Sequence, residues 1–334
     1  MILLFLLAAD LILHNGRILT VDQKFRVAEA VAVEGQRITA VGSNREVLKQ
    51  QGPSTRMVDL KARNVLPGLI DAHVHVLSAG LSEYRGALPP LDSDAAVQAY
   101  IRQQMKITPK GNWIVVPRTF PTRLKEMKMP TRDVLDVATE HPVMFDASYV
   151  WIVNSLGLKM SGITRDTPNP PGGVIERGPD GEPNGILRNA GRLLKGLSRA
   201  ESFTEQERLD AMEKQLRRYL DAGLTGIGDR AVGADDVALY DKLKSAGRLP
   251  VRVALTWRLD SSPAADAVVS RIRSSPWRSN AGDSWLKFVT FKVTLDGGMT
   301  IGTAYQRMPY GAFGKQLYGD RKSTRLNSSH ANIS

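Results

Sequence analysis

The second half of the chain alternates helical patterns with short apolar runs, and this alternation restricts the fold more than any other feature. Residues 204–222 predict an amphipathic helix, with Thr204 as N-cap, Glu207 three residues later and Gly223 at the end. The predicted strands and helices that follow are 224–228, 234–246, 251–256, 264–273 and 285–293. Strands that alternate with helices predict an α/β fold with a parallel sheet. With an earlier strand at 63–70, the pattern supplies four strands of this type.

The strand at 63–70 leads into the most informative motif of the chain, Pro67-Gly68-Leu69-Ile70-Asp71-Ala72-His73-Val74-His75. Alternate residues of a strand point to the same side, so His73 and His75 can face one point. Neutral imidazole is the commonest protein ligand of divalent metals. A His-x-His pair alone is a weak signal, and two ordinary strand histidines would explain it. The preceding apolar strand, the Pro-Gly break and Asp71 favour a metal site.

Composition limits the chemistry that this chain can perform. The 334 residues are 42% hydrophobic and 24% charged, which is typical of a globular protein. Cysteine is absent, so the sequence excludes disulfides and thiolate ligands, and any metal must rest on nitrogen and oxygen. The net charge of +11 comes from scattered basic residues without a nucleic-acid motif. We therefore expect a solvated basic surface and no nucleic-acid partner.

The segments outside the alternating region predict two further parts. Short β runs and turns in residues 1–66 predict a meander of strands. Residues 78–205 form a long insertion, with helices at 95–106 and 132–139, strands at 113–116 and 142–147, and a loop rich in Pro and Gly at 164–185. The apolar residues 1–9 are too short to span a membrane. They leave open whether the protein is cytoplasmic or exported by a signal peptide.

Several motifs resemble one known family. The Pro-Gly-hydrophobic-hydrophobic-Asp-x-His-x-His pattern resembles the first barrel strand of the amidohydrolase superfamily. The Lys-x-x-x-Asp-Gly-Gly pattern that begins at Lys292, with segments 153–158, 172–175 and 181–185, resembles its YtcJ-like branch. That branch, also called amidohydrolase family 3, includes N-substituted formamide deformylases. The resemblance covers about residues 9–319 and implies a partial (β/α)8 TIM barrel, with four of the eight strands, beside the N-terminal half of a β-sandwich.

The resemblance also implies a metal centre at the C-terminal mouth of the barrel. One or two divalent ions, with zinc as the first expectation, would be held by His73, His75 and a carboxylated Lys292. From strand position alone, Lys292 is equally well explained as a lysine that reaches the barrel rim. The implied reaction is metal-dependent hydrolysis of a carbon–nitrogen bond other than a peptide bond, in a small amide or formamide.

Five residues are candidate substrate contacts. Asp229 and Trp257 are candidates because they lie at predicted strand ends, and Asp296 is a candidate because it follows Lys292. Asn154 belongs to a family motif, and we expect its role to be structural more than substrate contact. Tyr149 stands where the family often has histidine. The alternatives are a C–O bond hydrolase such as a lactonase, or a non-catalytic fragment or scaffold that borrows the fold. A homodimer is left open.

The last residues, 320–334, resemble the in-frame translation of a sequencing-library adapter, although an ordinary polar tail is the alternative. On this interpretation natural sequence ends near Gly319, and the main barrel segment runs from 67 to 319. The resemblance places further metal-binding histidines and a general-base aspartate on later strands. We therefore expect this chain to be a C-terminally truncated fragment, inactive alone.

Overall fold

The computed structural model describes residues 8–84, 86–148, 150–171, 173–197, 203–260 and 264–294. These residues form a mixed α/β fold with two compact units. The first unit holds the described part of Met1–Val74 with Arg217–Gly228 and Pro250–Val253. The second holds the described parts of His75–Leu216, Asp229–Leu249 and Ala254–Ser334. The adapter-like segment 320–334 lies outside the described residues, and the domain boundaries predicted from sequence stay a prediction.

The strands of the first half are short. In chain order they are β1 (Leu11–His14), β2 (Arg17–Leu19), β3 (Val27–Ala28), β4 (Ala30–Glu34), β5 (Arg37–Gly42), β6 (Arg56–Asp59), β7 (Asn64–Val65) and β8 (Leu69–Val74). The later strands are β9 (Ile114–Val116), β10 (Val143–Asp146), β11 (Val150–Val153), β12 (Val174–Arg177), β13 (Pro183–Arg188), β14 (Leu224–Val232), β15 (Arg252–Arg258) and β16 (Leu286–Lys292).

The α-helices of the described residues range from one to nearly five turns. They are α1 (Asn44–Val47), α2 (Val76–Ser82), α3 (Asp94–Gln104), α4 (Arg132–Leu135), α5 (Ser155–Ser161), α6 (Glu205–Asp221), α7 (Ala234–Ser245) and α8 (Ala265–Ser274). Short 3-10 turns occupy Leu48–Gln50, Pro121–Arg123 and Gly191–Leu193. Within the described ranges, none of these helices combines the length and the hydrophobicity that a bilayer crossing requires.

The N-terminal meander forms two small sheets, in the orders β5-β4-β1-β6 and β3-β2-β7. Strand β1 pairs antiparallel with β4 and parallel with β6. The inward side chains of the larger sheet are small or branched, such as Ile12, Ala30 and Ala32, and all three are fully buried. This arrangement agrees with the β runs predicted over the first 66 residues.

The predicted α/β region folds into a four-stranded sheet in the order β16-β15-β14-β8. Helix α7 joins β14 to β15 and helix α8 joins β15 to β16, and helical crossovers between neighbours are typical of parallel strands. Helix α6 begins as predicted, because Glu207 N donates to Thr204 Oγ1 at 3.2 Å and Thr204 N donates to Glu207 Oε2 at 2.7 Å. The sheet contains four strands of the expected type, and closure into an eight-stranded barrel stays a prediction.

The predicted strand at 63–70 is two strands instead of one. Strand β7 ends at Val65, Pro67 offers no backbone N–H, and β8 begins at Leu69. Gly68 is required at this junction, since a Cβ atom there would collide with the side chain of Thr225 in β14. The second strand runs further than predicted and includes His73.

The insertion has its own sheet and core. Its strands lie in the order β12-β13-β11-β10-β9, and Phe145 and Ile152 are fully buried within it. The prediction of a loop over 164–185 is wrong in part, because β12 and the start of β13 form a hairpin there, with Gly181 at φ +82° in the turn. Flanking Pro and Gly residues hide the short strands in the sequence. Of the predicted helix 132–139, only α4 (Arg132–Leu135) is an α-helix.

Candidate active site

A cavity of about 530 Å³ in the second unit gathers side chains from the ends of several strands. His75 directly follows β8, Asp229 lies in the second half of β14, and Arg258 and Lys292 are the last residues of β15 and β16. Asp236 of α7 also lines the cavity. In α/β sheets of this kind, functional side chains come from the carboxyl ends of strands, so the cavity is the candidate active site.

Asp229 is the most firmly held of these residues. Its side chain is 6% exposed, and its Oδ2 accepts hydrogen bonds from the Tyr240 hydroxyl at 2.8 Å and from the Val76 N–H at 3.4 Å. Burial raises the pKa of Asp229 above its ordinary value, and the Tyr240 and Val76 donors oppose that rise. Its other oxygen, Oδ1, lies 3.9 Å from Nδ1 of His75, whose side chain is 45% exposed. An imidazole and a carboxylate thus meet at the cavity wall.

His73 and His75 occupy different local structures. Strand β8 ends at Val74, and His75 is the N-cap of α2, with φ −133° and ψ 84°. The prediction that both side chains point to the same side assumed that both residues lie in the strand. The strand includes His73 but ends before His75. His73 has an exposed side chain, and its backbone N–H donates to Asp71 Oδ1 at 2.9 Å. The cavity lining includes His75 and not His73, so their joint role stays a prediction.

Lys292 reaches the cavity from the end of β16. Its carbonyl accepts a hydrogen bond from Leu259 N at 2.8 Å, which fixes this strand end beside β15. Burial, followed by the positive charge of Arg258, lowers the pKa of the Lys292 amine, while Asp229 opposes the shift. A lowered pKa increases the share of neutral, nucleophilic amine at neutral pH.

The cavity offers the types of atom that bind a divalent cation, but it offers few of them. His75 offers nitrogen and Asp229 offers oxygen, ligands suited to zinc and to harder divalent ions. Catalytic zinc sites use three protein ligands. Within the parts of the chain that the structure describes, no group of three or more His, Cys, Asp or Glu side chains could hold a metal. Lys292 would supply a further oxygen only after carboxylation.

The structure gives the side chains of two predicted substrate contacts, Asn154 and Trp257, partners within the protein. Asn154 is fully buried and caps α5, and all four of its hydrogen bonds go to backbone groups of Val143, Gly157, Ala138 and His141. It is therefore structural. Trp257 lies inside β15 rather than beyond it, and its ring packs on Trp277 with centroids 5.6 Å apart.

The remaining predicted contacts have different outcomes. Asp229 does line the cavity, whereas Tyr149 and Asp296 lie outside the described residues. Sequence reasoning missed Arg258, because the predicted strand ended at residue 256 and the period-two alternation was not carried two residues further. It also missed Tyr240, whose position on the buried face of α7 with Val237 and Leu243 gives a helical signal.

Known proteins are similar to this chain over most of its length. The profile of the Amidohydrolase family matches residues 56–330. The chain belongs to this family. Among amidohydrolase relatives, N-substituted formamide deformylase of Arthrobacter pascens is 33% identical over 249 residues, which is 72% of this chain and 46% of that protein. The amidohydrolase YtcJ of Bacillus subtilis (strain 168) is 27% identical over 333 residues, covering 94% of this chain and 60% of that protein.

A solved structure shows the same fold. An uncharacterized metal-dependent hydrolase from Pyrococcus furiosus superposes on 90% of this chain and 59% of its own length, with a TM-score of 0.53 and 18% identity. The chain spans about half the length of the curated amidohydrolases it matches. The family resemblance drawn from the sequence motifs is thus confirmed.

Proposed function

We propose that this chain is part of a metal-dependent hydrolase that cleaves a carbon–nitrogen bond other than a peptide bond in a small amide or formamide. The observation that carries the proposal is the convergence of His75, Asp229 and Lys292 on one cavity in a member of the amidohydrolase family. The similarity to a formamide deformylase supports the bond type.

His75, Asp229 and a carboxylated Lys292 are the described residues that would hold the metal, with His73 as the further predicted ligand. A divalent ion, zinc first, would lower the pKa of a bound water and polarise the scissile carbonyl. The Tyr240 hydroxyl and the Val76 N–H fix the Asp229 carboxylate before any ligand arrives. Such prior orientation reduces the cost of assembling the site.

The first test of the proposal is metal content. The purified chain is loaded with zinc and dialysed, and bound metal is measured by mass spectrometry for the wild type, His75→Ala and His14→Ala. We expect His75→Ala to weaken metal affinity by at least about 10- to 100-fold, because loss of an outer partner of a metal ligand already costs that much. His14 is the control because it lies in β1. A wild type that binds no metal, or a His75→Ala variant that binds as well as the wild type, contradicts the proposal.

The second test is the bond that is cleaved. An N-alkylformamide, an anilide and a lactone of similar size are offered to the zinc-loaded protein, and product release is followed. Preferential formamide or amide cleavage supports the proposal, whereas preferential lactone cleavage assigns the C–O alternative. The chain spans about half the length of the curated relatives it matches, so the same panel is also run on a longer product of the same locus. Further strand-end histidines and a late aspartate there would complete the predicted metal site.

A further inference from the structure

Arg258 and Lys292 lie at neighbouring strand ends in the cavity. Arg258 is the last residue of β15 and Lys292 the last residue of β16, and both line the cavity. The 2.8 Å hydrogen bond from Leu259 N to the Lys292 carbonyl fixes the two strand ends side by side. Arg258 thus brings a permanently charged guanidinium to the cavity wall at a fixed position.

The acidic residues of the lining are already engaged in the cavity wall. Asp229 accepts from Tyr240 and Val76, as described above. Asp236 Oδ2 accepts from Gly233 N at 2.8 Å, and its Oδ1 lies 3.9 Å from Nη2 of Arg208. Both carboxylates are therefore held by other neighbours, and neither is paired with Arg258.

Arg118, the other arginine of the lining, differs from Arg258 in this respect. Asp146 Oδ2 accepts from Arg118 Nε at 3.1 Å and from Nη2 at 2.9 Å, so this guanidinium has its anion. The Arg258 side chain makes no hydrogen bond or ion pair with any residue within the described ranges. A guanidinium stays charged at all ordinary pH values and offers a planar fork of N–H donors that matches a carboxylate.

We propose that Arg258 is a specificity-determining residue that binds a carboxylate of the substrate. This inference rests on the proposed function and adds to it the class of substrate: an amide or formamide that also carries an anionic group. A cavity of about 530 Å³ accommodates a small molecule of this kind. Leu77 and Leu81 of α2 provide an apolar wall for the rest of the molecule.

Binding of benzoate to the metal-free chain tests this assignment without requiring activity. Isothermal titration compares benzoate with benzyl alcohol, its neutral counterpart of similar size, and with inorganic phosphate. We expect benzoate to bind the wild type about tenfold more tightly than benzyl alcohol, and Arg258→Gln to remove that difference, as loss of a charge-assisted hydrogen bond does. Arg258→Lys keeps the charge without the fork and should retain part of the preference.

Arg252→Gln is the matched control, because Arg252 begins the same strand and does not line the cavity. It should leave benzoate binding unchanged, and circular dichroism confirms that each variant is folded. Equal binding of benzoate and benzyl alcohol, or undiminished benzoate binding by Arg258→Gln, would overturn the inference. Tighter binding of phosphate than of benzoate would overturn the carboxylate assignment. Zinc binding by the wild type, measured separately, shows whether the proposed function survives such a failure.

Discussion

Replacement of Tyr240 by phenylalanine tests how the cavity wall holds Asp229. Tyr240 is fully buried and its hydroxyl donates to Asp229 Oδ2 at 2.8 Å. Phenylalanine keeps the ring and removes the donor, so the change isolates one hydrogen bond to a buried carboxylate. A hydrogen bond to a charged group contributes about 1.5–3 kcal/mol, and one between neutral groups about 1 kcal/mol. At neutral pH we expect a loss of about 2 kcal/mol in the free energy of unfolding.

The loss of unfolding free energy should depend on pH, and the direction of this dependence follows from the pKa of Asp229. Burial raises that pKa above the ordinary value of 3.8, so the native state holds the proton more tightly than the unfolded chain. The contribution of this group to stability therefore falls as pH rises from the ordinary value through the raised native value. Removal of the Tyr240 donor raises the native pKa further. The destabilisation by Tyr240→Phe should accordingly be smaller at pH 4 than at pH 7.5.

Urea unfolding of the metal-free chain, followed by circular dichroism at both pH values, measures the effect. Tyr100→Phe is the matched control, because the Tyr100 hydroxyl makes a long 3.4 Å bond to the Val115 carbonyl. The control should change the free energy of unfolding by less than about 0.5 kcal/mol. Equal losses for Tyr240→Phe at pH 4 and pH 7.5 would show that Asp229 carries no charge in the fold. A loss as small as that of the control would refute the reasoning.

Three further substitutions, with a fourth as a control, test other parts of the structure by urea or thermal unfolding. Asn154→Ala should lower the free energy of unfolding by about 2–4 kcal/mol, because four buried backbone groups lose their hydrogen-bond partner. Benzoate binding should stay unchanged. Weakened benzoate binding in a stable variant would favour Asn154 as a substrate contact. Gly80→Ala should cost about 1–3 kcal/mol, because its Cβ would lie 2.5 Å from the Ala211 carbonyl oxygen. Gly86→Ala is the control and should leave the free energy of unfolding unchanged, because its Cβ would lie in open space. Equal losses for Gly80→Ala and Gly86→Ala would contradict the close packing of α2 on α6. Gly181→Ala should cost about 1–2 kcal/mol, because alanine is strained at φ +82°, and an unchanged melting temperature would argue against this turn.

Features that depend on neighbours along the chain could be predicted from the amino-acid sequence. The Thr204–Glu207 capping box predicted the start of α6, since both partners lie within one helical turn. The alternation of apolar runs with helical patterns predicted the strands and helices of the α/β sheet for the same reason. Lys292 was placed at a strand end because an apolar run leads up to it.

Which side chains share the cavity depends on contacts between distant parts of the chain, and the sequence did not predict it. Trp257 and Arg258 are neighbours in sequence, but the register of β15 puts Arg258 in the lining while Trp257 packs on Trp277. A shift of one residue in the pairing register of a strand exchanges its two faces, and the register depends on partner strands that are distant in sequence. Sequence patterns also locate strand ends only to within a few residues. Asn154 has the polarity of a binding residue, and its structural role follows only from backbone groups that packing brings around it. Such partners are distant in sequence and leave no local pattern.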